Sequence, residues 1–384
     1  MTAETSSIPS RIRAVFMRGG TSKGLILRQE DLPAQRDRRD ALFLALMGSP
    51  DMHGRQLNGM GGGVSSLSKV CIVGPSTRAD ADVDYTFAQV MVNEARVDYS
   101  GNCGNMSSAI GPFAVDEKLV AASGAQALVR IHNTNTGKVI HSVFNVENGR
   151  ACVQGDLEIP GVSGQGSPIR LEFLDPGGAT TGSLLPTGQA AQYLDVPGQG
   201  KVRVSMIDAA NACVFVTPAA VGLDGIELPA ALSERADVLE KLNDIRLHAS
   251  IAMGIAPDLD QARAKRVVPF VGIVSPPRDA ATLSGLMLEA KNVDLTARMI
   301  SSGQPHQALP LTASLCIAVA ARIQGSLVHE AARHGDGRTL RIGMPSGILT
   351  VGADVAFEHQ AWVAKSGYFF RTARRLFDGH AYAR

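Results

Sequence analysis

The sequence predicts an α+β protein made of two similar domains. Its 384 residues exceed the length at which a single hydrophobic core usually stops growing. Apolar residues make up 45% of the chain and charged residues 19%, which is typical of a folded globular protein. In each half, segments with strand-like alternation precede a polar turn and a helix rich in small residues. We therefore expect an internal duplication, with domains at residues 1–190 and 191–384.

The N-terminal half contains both strand-like and helix-like periodicities. Strands are predicted at 11–27, which includes a Gly-rich turn, and at 68–73, 83–99 and 127–159. An amphipathic helix is expected at 33–47, where Gly and Pro end the pattern. A second helix, at 106–115, consists of small and apolar residues, so we expect it to be buried among strands.

The C-terminal half repeats this order. Strands are predicted at 202–207, 212–217, 267–274 and 286–290, and a helix at 233–253. A polar turn at 301–306 precedes a second buried helix of small residues, at 311–322. The stretch 160–200 is rich in Pro and Gly and has little periodic pattern, so it is the expected connector.

Composition excludes several classes of function. The formal net charge is +1, so no global attraction favours nucleic acid or an anionic membrane. The five cysteines are widely spaced without a CxxC pair, which indicates neither a disulfide framework nor a metal site. The start of the chain has no apolar run, and no stretch reaches the about 20 apolar residues that span a bilayer. We expect a cytoplasmic protein that binds a small molecule.

The segment Gly101-Asn102-Cys103-Gly104-Asn105 is the strongest local indication of chemistry. Unpaired backbone N–H groups and the helix dipole at a helix start favour the thiolate of a cysteine placed there. The same N–H groups would hold a carboxylate, and the glycines would let a substrate approach the backbone closely. In the alternative interpretation, Cys103 only fills apolar space beside a tight turn.

Lys69 lies in an apolar predicted strand, directly after a Gly-rich loop at 59–63. Burial there would favour the neutral amine, which acts as a general base near neutral pH. Alternatively, Lys69 points outward from an edge strand, where lysine discourages aggregation. The residues alone leave both interpretations open.

The Gly-rich turn at 19–24 contains Ser22 and Lys23. It lacks the GxxxxGK[ST] spacing and the strand-to-helix context of a nucleotide-binding loop. Its hydroxyls, backbone donors and lysine would suit a carboxylate, although a plain hairpin turn explains the same residues. The histidines have no metal-ligand spacing, and only His306 precedes a candidate anion-binding helix.

Several longer motifs extend along nearly the whole chain. They are Met17-Arg18-Gly19-Gly20-Thr21-Ser22-Lys23-Gly24, Met47-Gly48-Ser49-Pro50-Asp51, Gly59-Met60-Gly61-Gly62, Ser68-Lys69-Val70, Asp82-Val83-Asp84-Tyr85, Ser100-Gly101-Asn102-Cys103-Gly104-Asn105, the segment 205–211, Pro305-His306, Pro345-Ser346-Gly347 and Arg371-Thr372-Ala373-Arg374. Together they resemble the PrpF family, the 2-methylaconitate isomerases and their relatives, which share the diaminopimelate epimerase-like fold.

The resemblance implies two pseudo-duplicated domains, each a β-structure wrapped around a central helix, with the active site in the cleft between them. Family members move a double bond, or invert its geometry, in acids such as 2-methylaconitate, methylitaconate or 4-oxalomesaconate, and none needs a cofactor. We therefore expect an isomerase of unsaturated di- and tricarboxylic acids that resembles 2-methylaconitate cis-trans isomerase. A 4-oxalomesaconate tautomerase or a methylitaconate delta-isomerase is the alternative.

The resemblance also implies roles for individual residues. Lys69 and Cys103 match the acid and base candidates of the family. The implied substrate contacts are Ser22, Lys23, Asn102, Gly104 and Asn105 in the first half and His306, Thr312 and Ser314 in the second. The chain departs from the family pattern at 310–314, where relatives often carry a TGTG-like turn, and at Met344, where a histidine is common. The substrate is therefore left open.

Two other classes compete with the isomerase. Racemases of this fold use a second thiol before the helix of the other domain, where this chain has Pro310. Cys316 falls inside the predicted helix and is expected to be core. A non-catalytic protein that presents a polycarboxylate to a partner enzyme needs neither a buried amine nor a thiol, so Lys69 and Cys103 argue against it.

The expected mechanism is removal of an allylic proton by neutral Lys69 and its return at the other end of the allyl system. Donors at the helix start, with Ser22 and Lys23, would stabilise the charge on the carboxylate. Cys103 would be a second acid or base, or a positioning group. We expect no metal, nucleic-acid or membrane partner, and the sequence leaves a homodimer open.

Overall fold

The computed structural model describes residues 9–265, 267–335, 337 and 339–383. The chain forms two compact units. The first unit comprises the residues up to Phe173 together with those from Phe370 onward, and the second comprises Leu174–Phe369. The division into domains 1–190 and 191–384 stays a prediction, and the units are described below by their own bounds.

Strands predominate over helices in both units. Up to residue 174, the elements are β1 (Arg11–Gly19), β2 (Ser22–Arg28), α1 (Arg36–Met47), β3 (Lys69–Pro75), β4 (Val83–Val90), β5 (Val97–Asp98), α2 (Gly104–Asp116), β6 (Gln126–Asn133), β7 (Lys138–Glu147), β8 (Arg150–Ala151) and β9 (Ile169–Leu174). They are followed by β10 (Gln192–Val196), β11 (Gly200–Ala209), β12 (Asn211–Val216), α3 (Pro229–Ser233), α4 (Ala236–Ala252), α5 (Leu259–Ala264), β13 (Phe270–Ser275), β14 (Ala280–Ala281), β15 (Met287–Leu288), β16 (Leu295–Ser301), β17 (Gln304–Pro305), α6 (Leu311–Ala320), α7 (Leu327–Ala331), β18 (Thr339–Met344), β19 (Gly347–Glu358), β20 (Ala361–Arg371) and β21 (Ala373–Tyr382).

The first unit is a mixed sheet that begins with the β1–β2 hairpin. Strand β3 pairs parallel to β2 and antiparallel to β4. Beyond β4 the order continues through β6, which is parallel to β4, to β7 and β9, which are antiparallel additions. Strand β21 closes the other side by pairing antiparallel with β1.

Helix α2 is the central helix of the first unit. Its residues 106–115 are all buried, and it packs against β1, β2, β3, β6 and β7. A Cβ on Gly111 would clash with Ser142 and Phe144 of β7, so this glycine permits the close approach of strand and helix. A helix that is apolar on all sides has to be buried. The surrounding strands bury α2, so the buried helix predicted at 106–115 is confirmed.

Helix α1 covers the other face of the same strands. Its buried residues, among them Leu42, Phe43 and Leu46, form one hydrophobic cluster with alternate residues of β2 and β3. Val70 and Ile72 point into this cluster, so Lys69 and Cys71 must point to the opposite face, toward α2. The strand alternation therefore determines which side of β3 carries the lysine.

The second unit repeats the connections of the first. β11 and β12 form a hairpin, β13 is parallel to β12 and antiparallel to β16, and β18 is parallel to β16 and antiparallel to β19. Strand β10 pairs with β11 as β21 pairs with β1. Buried helix α6 packs on β11, β12 and β19, and α4 covers the opposite face through a second apolar cluster. The predicted α+β class and internal duplication are confirmed.

Two details of the prediction need correction. The stretch 160–200 is more than a connector, because it contains β9 and β10. In β9, Ile169 and Leu171 are buried while Arg170 between them is only partly buried, an alternation hidden among Pro and Gly. The helix predicted at 233–253 begins only at Ala236, after the separate short helix α3. Within the described residues, no helix combines the length and apolar character needed to cross a membrane.

Candidate active site

The start of α2 presents Cys103 at its N-cap. Cys103 has an extended backbone and a partly exposed side chain that makes no capping hydrogen bond within the described part of the chain. Its carbonyl accepts hydrogen bonds from the backbone N–H (2.9 Å) and the hydroxyl (3.0 Å) of Ser107. The Ser107 hydroxyl also lies 3.2 Å from Asn102 Oδ1. Ser107 thus fixes the Asn102-Cys103 segment while the thiol stays accessible.

The β1–β2 turn packs directly on this helix start. A Cβ on Gly19 would lie 2.6 Å from the carbonyl oxygen of Asn105. Gly20 has φ +52°, and a side chain there would also collide with Asn105, so both positions require glycine. Asn105 Nδ2 donates to Thr21 Oγ1 at 3.1 Å, and the Thr21 N–H lies 3.5 Å from Asn105 Oδ1. The two predicted anion-binding segments are therefore in contact.

Ser22 and Lys23 point to opposite faces of the sheet. Ser22 is buried and pairs across the hairpin with Gly19, which contacts α2. Lys23 pairs with Arg18, and its Nζ lies 5.9 Å from the ring centroid of Phe16 in the cluster beneath α1. The structure therefore places Ser22 on the side of Cys103 and Lys23 on the other side.

Lys69 is buried on the α2 side of a central strand. Lys69 is only 7% exposed, and β3 pairs with a strand on each side. The alternative that Lys69 points outward from an edge strand is therefore wrong. The ammonium lies 2.8 Å from Gln89 Oε1 and 4.8 Å from the ring centroid of Phe87. A Cβ on Gly24 would lie 2.5 Å from the Lys69 carbonyl oxygen, so that glycine lets β2 and β3 meet here.

Cys71 connects the two catalytic candidates electrostatically. It is fully buried two residues beyond Lys69 on the same face of β3, and its Sγ lies 3.9 Å from the Tyr85 hydroxyl. Burial chiefly raises the pKa of Cys71, a charge on Cys103 raises it further, and the Lys69 charge lowers it. Burial and the same two cysteines raise the pKa of Tyr85. Lys69 and Cys71 therefore share the face of β3 that packs against α2, the helix that follows Cys103.

A buried arginine supports the turn and the helix start together. Arg371 Nε donates to Asn105 Oδ1 at 3.2 Å, and burial lowers the pKa of Arg371 to about 10. Arg18 donates to the carbonyls of Gly20 and Thr372, both at 2.9 Å. The two guanidinium groups hold the polar turn in place by donating hydrogen bonds to backbone carbonyls and to the side-chain amide of Asn105.

The second unit contains the other three predicted contacts. His306 is half-buried, its Nε2 lies 2.6 Å from Ser301 Oγ, and its ring stacks on Phe270 at 6.1 Å. Burial lowers the pKa of His306. Thr312, in the first turn of α6, accepts a hydrogen bond from Asn211 Nδ2 at 3.4 Å. Ser314 is fully buried and donates to the Leu311 carbonyl at 2.7 Å.

The hairpin-to-helix contact recurs in both units. In the first unit Thr21 of the hairpin turn bonds Asn105 of α2, and in the second unit Asn211 of the hairpin bonds Thr312 of α6. Pro310 is the N-cap of α6, and Cys316 is fully buried with its Sγ 3.4 Å from the Ile207 carbonyl. The expectation that Cys316 belongs to the core is therefore confirmed.

Sequence reasoning missed three side chains around the candidate site. Gln89 contacts Lys69, Ser107 fixes the Cys103 carbonyl, and Arg371 supports Asn105. Arg371 belongs to one of the family-like motifs, but nothing in the local pattern of Gln89 or Ser107 indicates their partners. Among the described residues, no group of three or more His, Cys, Asp or Glu side chains is arranged to hold a metal ion.

Each unit has the same strand order around one buried helix, as the family resemblance in the sequence implies. The model of one family, described as PrpF protein, matches residues 9–384. The chain therefore belongs to the PrpF family.

Named relatives match this chain over nearly its full length. It is 42% identical to a 3-methylitaconate isomerase of Eubacterium barkeri, with 97% of each chain covered. It is 39% identical to a 2-methyl-aconitate isomerase of Cupriavidus necator, with 96% of each covered. It is 38% identical to a 4-oxalomesaconate tautomerase of Pseudomonas putida, covering 96% of this chain and 95% of the relative.

A solved structure is similar throughout. The crystal structure of a methylitaconate-delta-isomerase has a TM-score of 0.91 and 41% identity, covering 98% of this chain and 96% of the other. The sequence-based identification of the family is thus confirmed, and the chain is an isomerase of this family.

Proposed function

We propose that this chain isomerises a small unsaturated di- or tricarboxylic acid by proton transfer, with Lys69 as the base. The observation that carries the proposal is a buried amine on the face of β3 that packs against α2, the helix whose N-cap is Cys103. The names of the relatives, 3-methylitaconate isomerase, 2-methyl-aconitate isomerase and 4-oxalomesaconate tautomerase, support this class of substrate.

The reaction consists of two proton transfers. Neutral Lys69 takes a proton from the carbon next to the double bond, and the C–H electron pair forms a dienolate delocalised into a carboxylate. An acid then returns a proton to the far carbon of the allyl system, which moves the double bond. Alternatively, rotation in the dienolate and protonation of the original carbon re-form the double bond with the other geometry. Electrons and protons balance without an oxidant, so we propose that no cofactor takes part.

The surroundings of Lys69 suit a positioned base. The amine is buried on the face of β3 that packs against α2. Gln89 and Phe87 hold the amine from one side, so its reactive direction is restricted. A base positioned in this way contributes about 10²- to 10⁴-fold to the rate.

The start of α2 is suited to the charge that develops on the carboxylate. The free N–H groups of the first helical turn, which begins with Gly104 and Asn105, point out of the N-terminal end of the helix. The Ser22 hydroxyl lies on the same side of the sheet as Gly19 and α2. We propose that Ser22, Asn102, Gly104 and Asn105 bind carboxylate groups and that fixed donors stabilise the dienolate.

The roles of the remaining candidates are proposals of different kinds. Cys103, partly exposed at the helix N-cap, is placed to return the proton as the second acid. We retain Lys23, His306, Thr312 and Ser314 as substrate-binding predictions, although Lys23 points to the face opposite Ser22. A homodimer and a cytoplasmic location stay predictions.

The test is turnover of the three candidate substrates. The protein is incubated with 2-methylaconitate, 3-methylitaconate and 4-oxalomesaconate, and double-bond position is followed by proton NMR. Conversion of at least one acid is expected. Binding of an acid by calorimetry, with no conversion of any, would support the competing class of a non-catalytic polycarboxylate carrier.

A further inference from the structure

We propose that Gln89 is a positioning residue that orients the Lys69 amine for proton transfer. The inference rests on the proposed function, in which Lys69 is the base. Gln89 lies on β4 directly opposite Lys69 on β3, where cross-strand side chains are nearest neighbours. It does not belong to any of the motifs that carry the family resemblance.

The amide of Gln89 can face Lys69 in one orientation only. Its Nε2 donates to the carbonyls of Ser65 (3.0 Å) and Ser68 (2.9 Å), which can only accept hydrogen bonds. The amide oxygen is thereby turned toward Lys69 Nζ, at 2.8 Å. Backbone atoms of the segment before β3 thus dictate which end of the amide meets the amine.

This arrangement removes the freedom of a flexible side chain. A lysine amine is carried on a flexible chain of four carbons, so it has no single preferred direction. One N–H of Lys69 is committed to Gln89, and the centroid of the Phe87 ring lies 4.8 Å from the amine. The remaining direction is the one available to a substrate proton, and small errors in such geometry cost about 10²-fold in rate.

The second unit shows that the fold does not require this pair. Extending the register of β13 and β16 by one residue places Phe270 opposite Ser301, the position that Lys69 and Gln89 occupy in the first unit. There a phenylalanine and a small hydroxyl satisfy the same strand pairing. The amine and the amide that fixes it are therefore additions to the duplicated scaffold.

The competing explanation is that Gln89 only anchors the 65–68 segment to the sheet. Both explanations predict some loss of stability when Gln89 is changed, so stability cannot separate them. The two explanations differ in what they predict for the chemical reactivity of the Lys69 amine. An acceptor removed from the amine makes it more reactive, whereas a carboxylate beside it favours the unreactive ammonium.

The experiment compares Gln89→Met, which keeps the length but not the hydrogen bonds, with Gln89→Glu, which places a carboxylate beside the amine. Thr86→Val is the matched control, because Thr86 lies on the same strand and bonds Thr134 instead. For each protein, kcat and KM are measured. Independently of turnover, the rate of reductive methylation at Lys69 is measured by peptide mass spectrometry.

We expect Gln89→Met to lower kcat by roughly 10- to 100-fold with little change in KM. Methylation of Lys69 should be faster than in the unchanged protein for Gln89→Met and slower for Gln89→Glu, while Thr86→Val changes neither quantity. Equal methylation rates in all four proteins, or equal losses of kcat in Gln89→Met and Thr86→Val, would overturn the inference. If Lys69→Ala remains active but the methylation rates still diverge, the base assignment fails and the positioning contact stands.

Discussion

At the scale of single residues, the candidate site depends on polar groups held at defined places by burial. Lys69 is buried beside a carbonyl oxygen of Gln89, and the thiol of Cys103 stays accessible at a helix start. The residue types and their motifs could be predicted from the sequence. The side chains that contact them could not be predicted, because Gln89 reaches Lys69 only when β3 and β4 pair, and Ser107 reaches Cys103 only when α2 forms.

Replacing Cys103 tests its role as the second acid. Cys103→Ala removes the proton donor, and we expect kcat to fall by about 10²- to 10⁴-fold. Cys152→Ala is the control, because Cys152 is another partly exposed thiol of the first unit. The measurement is kcat of both variants from steady-state kinetics. A Cys103→Ala enzyme as fast as the control would assign proton return to another group.

His306 links stability to pH in a predictable direction. Burial lowers its pKa below the ordinary value of 6.5, so below that pH the unfolded chain binds a proton that the folded chain does not. Its contribution is present above about pH 6.5 and is lost as the pH falls from that value through the lowered pKa of the folded state. His306→Gln should therefore lose less stability than the unchanged protein between pH 7.5 and pH 5.5 in urea unfolding.

The control for this measurement is His53→Gln, since His53 is an exposed histidine of the first unit. An identical loss of stability in the His306→Gln and His53→Gln variants would contradict the assignment.

At the scale of elements, the first unit is organised by close approach of backbones. The hairpin turn rests on the start of α2, and β2 meets β3 at Gly24 and Lys69. The sequence predicted the strands β1 to β8, the turn and the buried helix α2, since periodicity and glycine placement are local signals. It did not predict β9 and β10, because short strands among Pro and Gly carry little periodic pattern.

Gly24→Ala tests the contact between β2 and β3. The new Cβ would lie 2.5 Å from a backbone oxygen of Lys69, which cannot rotate away. We expect a loss of about 1 to 3 kcal/mol in the free energy of unfolding, measured with urea. Gly335→Ala is the control, because a Cβ there meets nothing within 4 Å. A Gly24→Ala protein as stable as this control would show that the strands separate without cost.

At the scale of the whole chain, one topology is used twice with different chemistry. Each unit has a hairpin, a parallel neighbour, a buried helix and an outer helix in the same order. The sequence predicted this duplication from the order of its elements, without residue identity between the halves. The residues at equivalent positions differ, with Lys69 in one unit and Phe270 in the other, so only the first unit carries the proposed base.

The most direct test of the central claim is deuterium incorporation into substrate. Each relative's named acid is incubated in D2O with the unchanged protein, with Lys69→Ala and with Lys138→Ala, an exposed lysine of the same unit. Proton NMR then locates deuterium on the carbons flanking the double bond. We expect incorporation with the unchanged protein and with Lys138→Ala, and a loss of about 10²- to 10⁴-fold in the rate with Lys69→Ala. Incorporation by Lys69→Ala at the unchanged rate would contradict it.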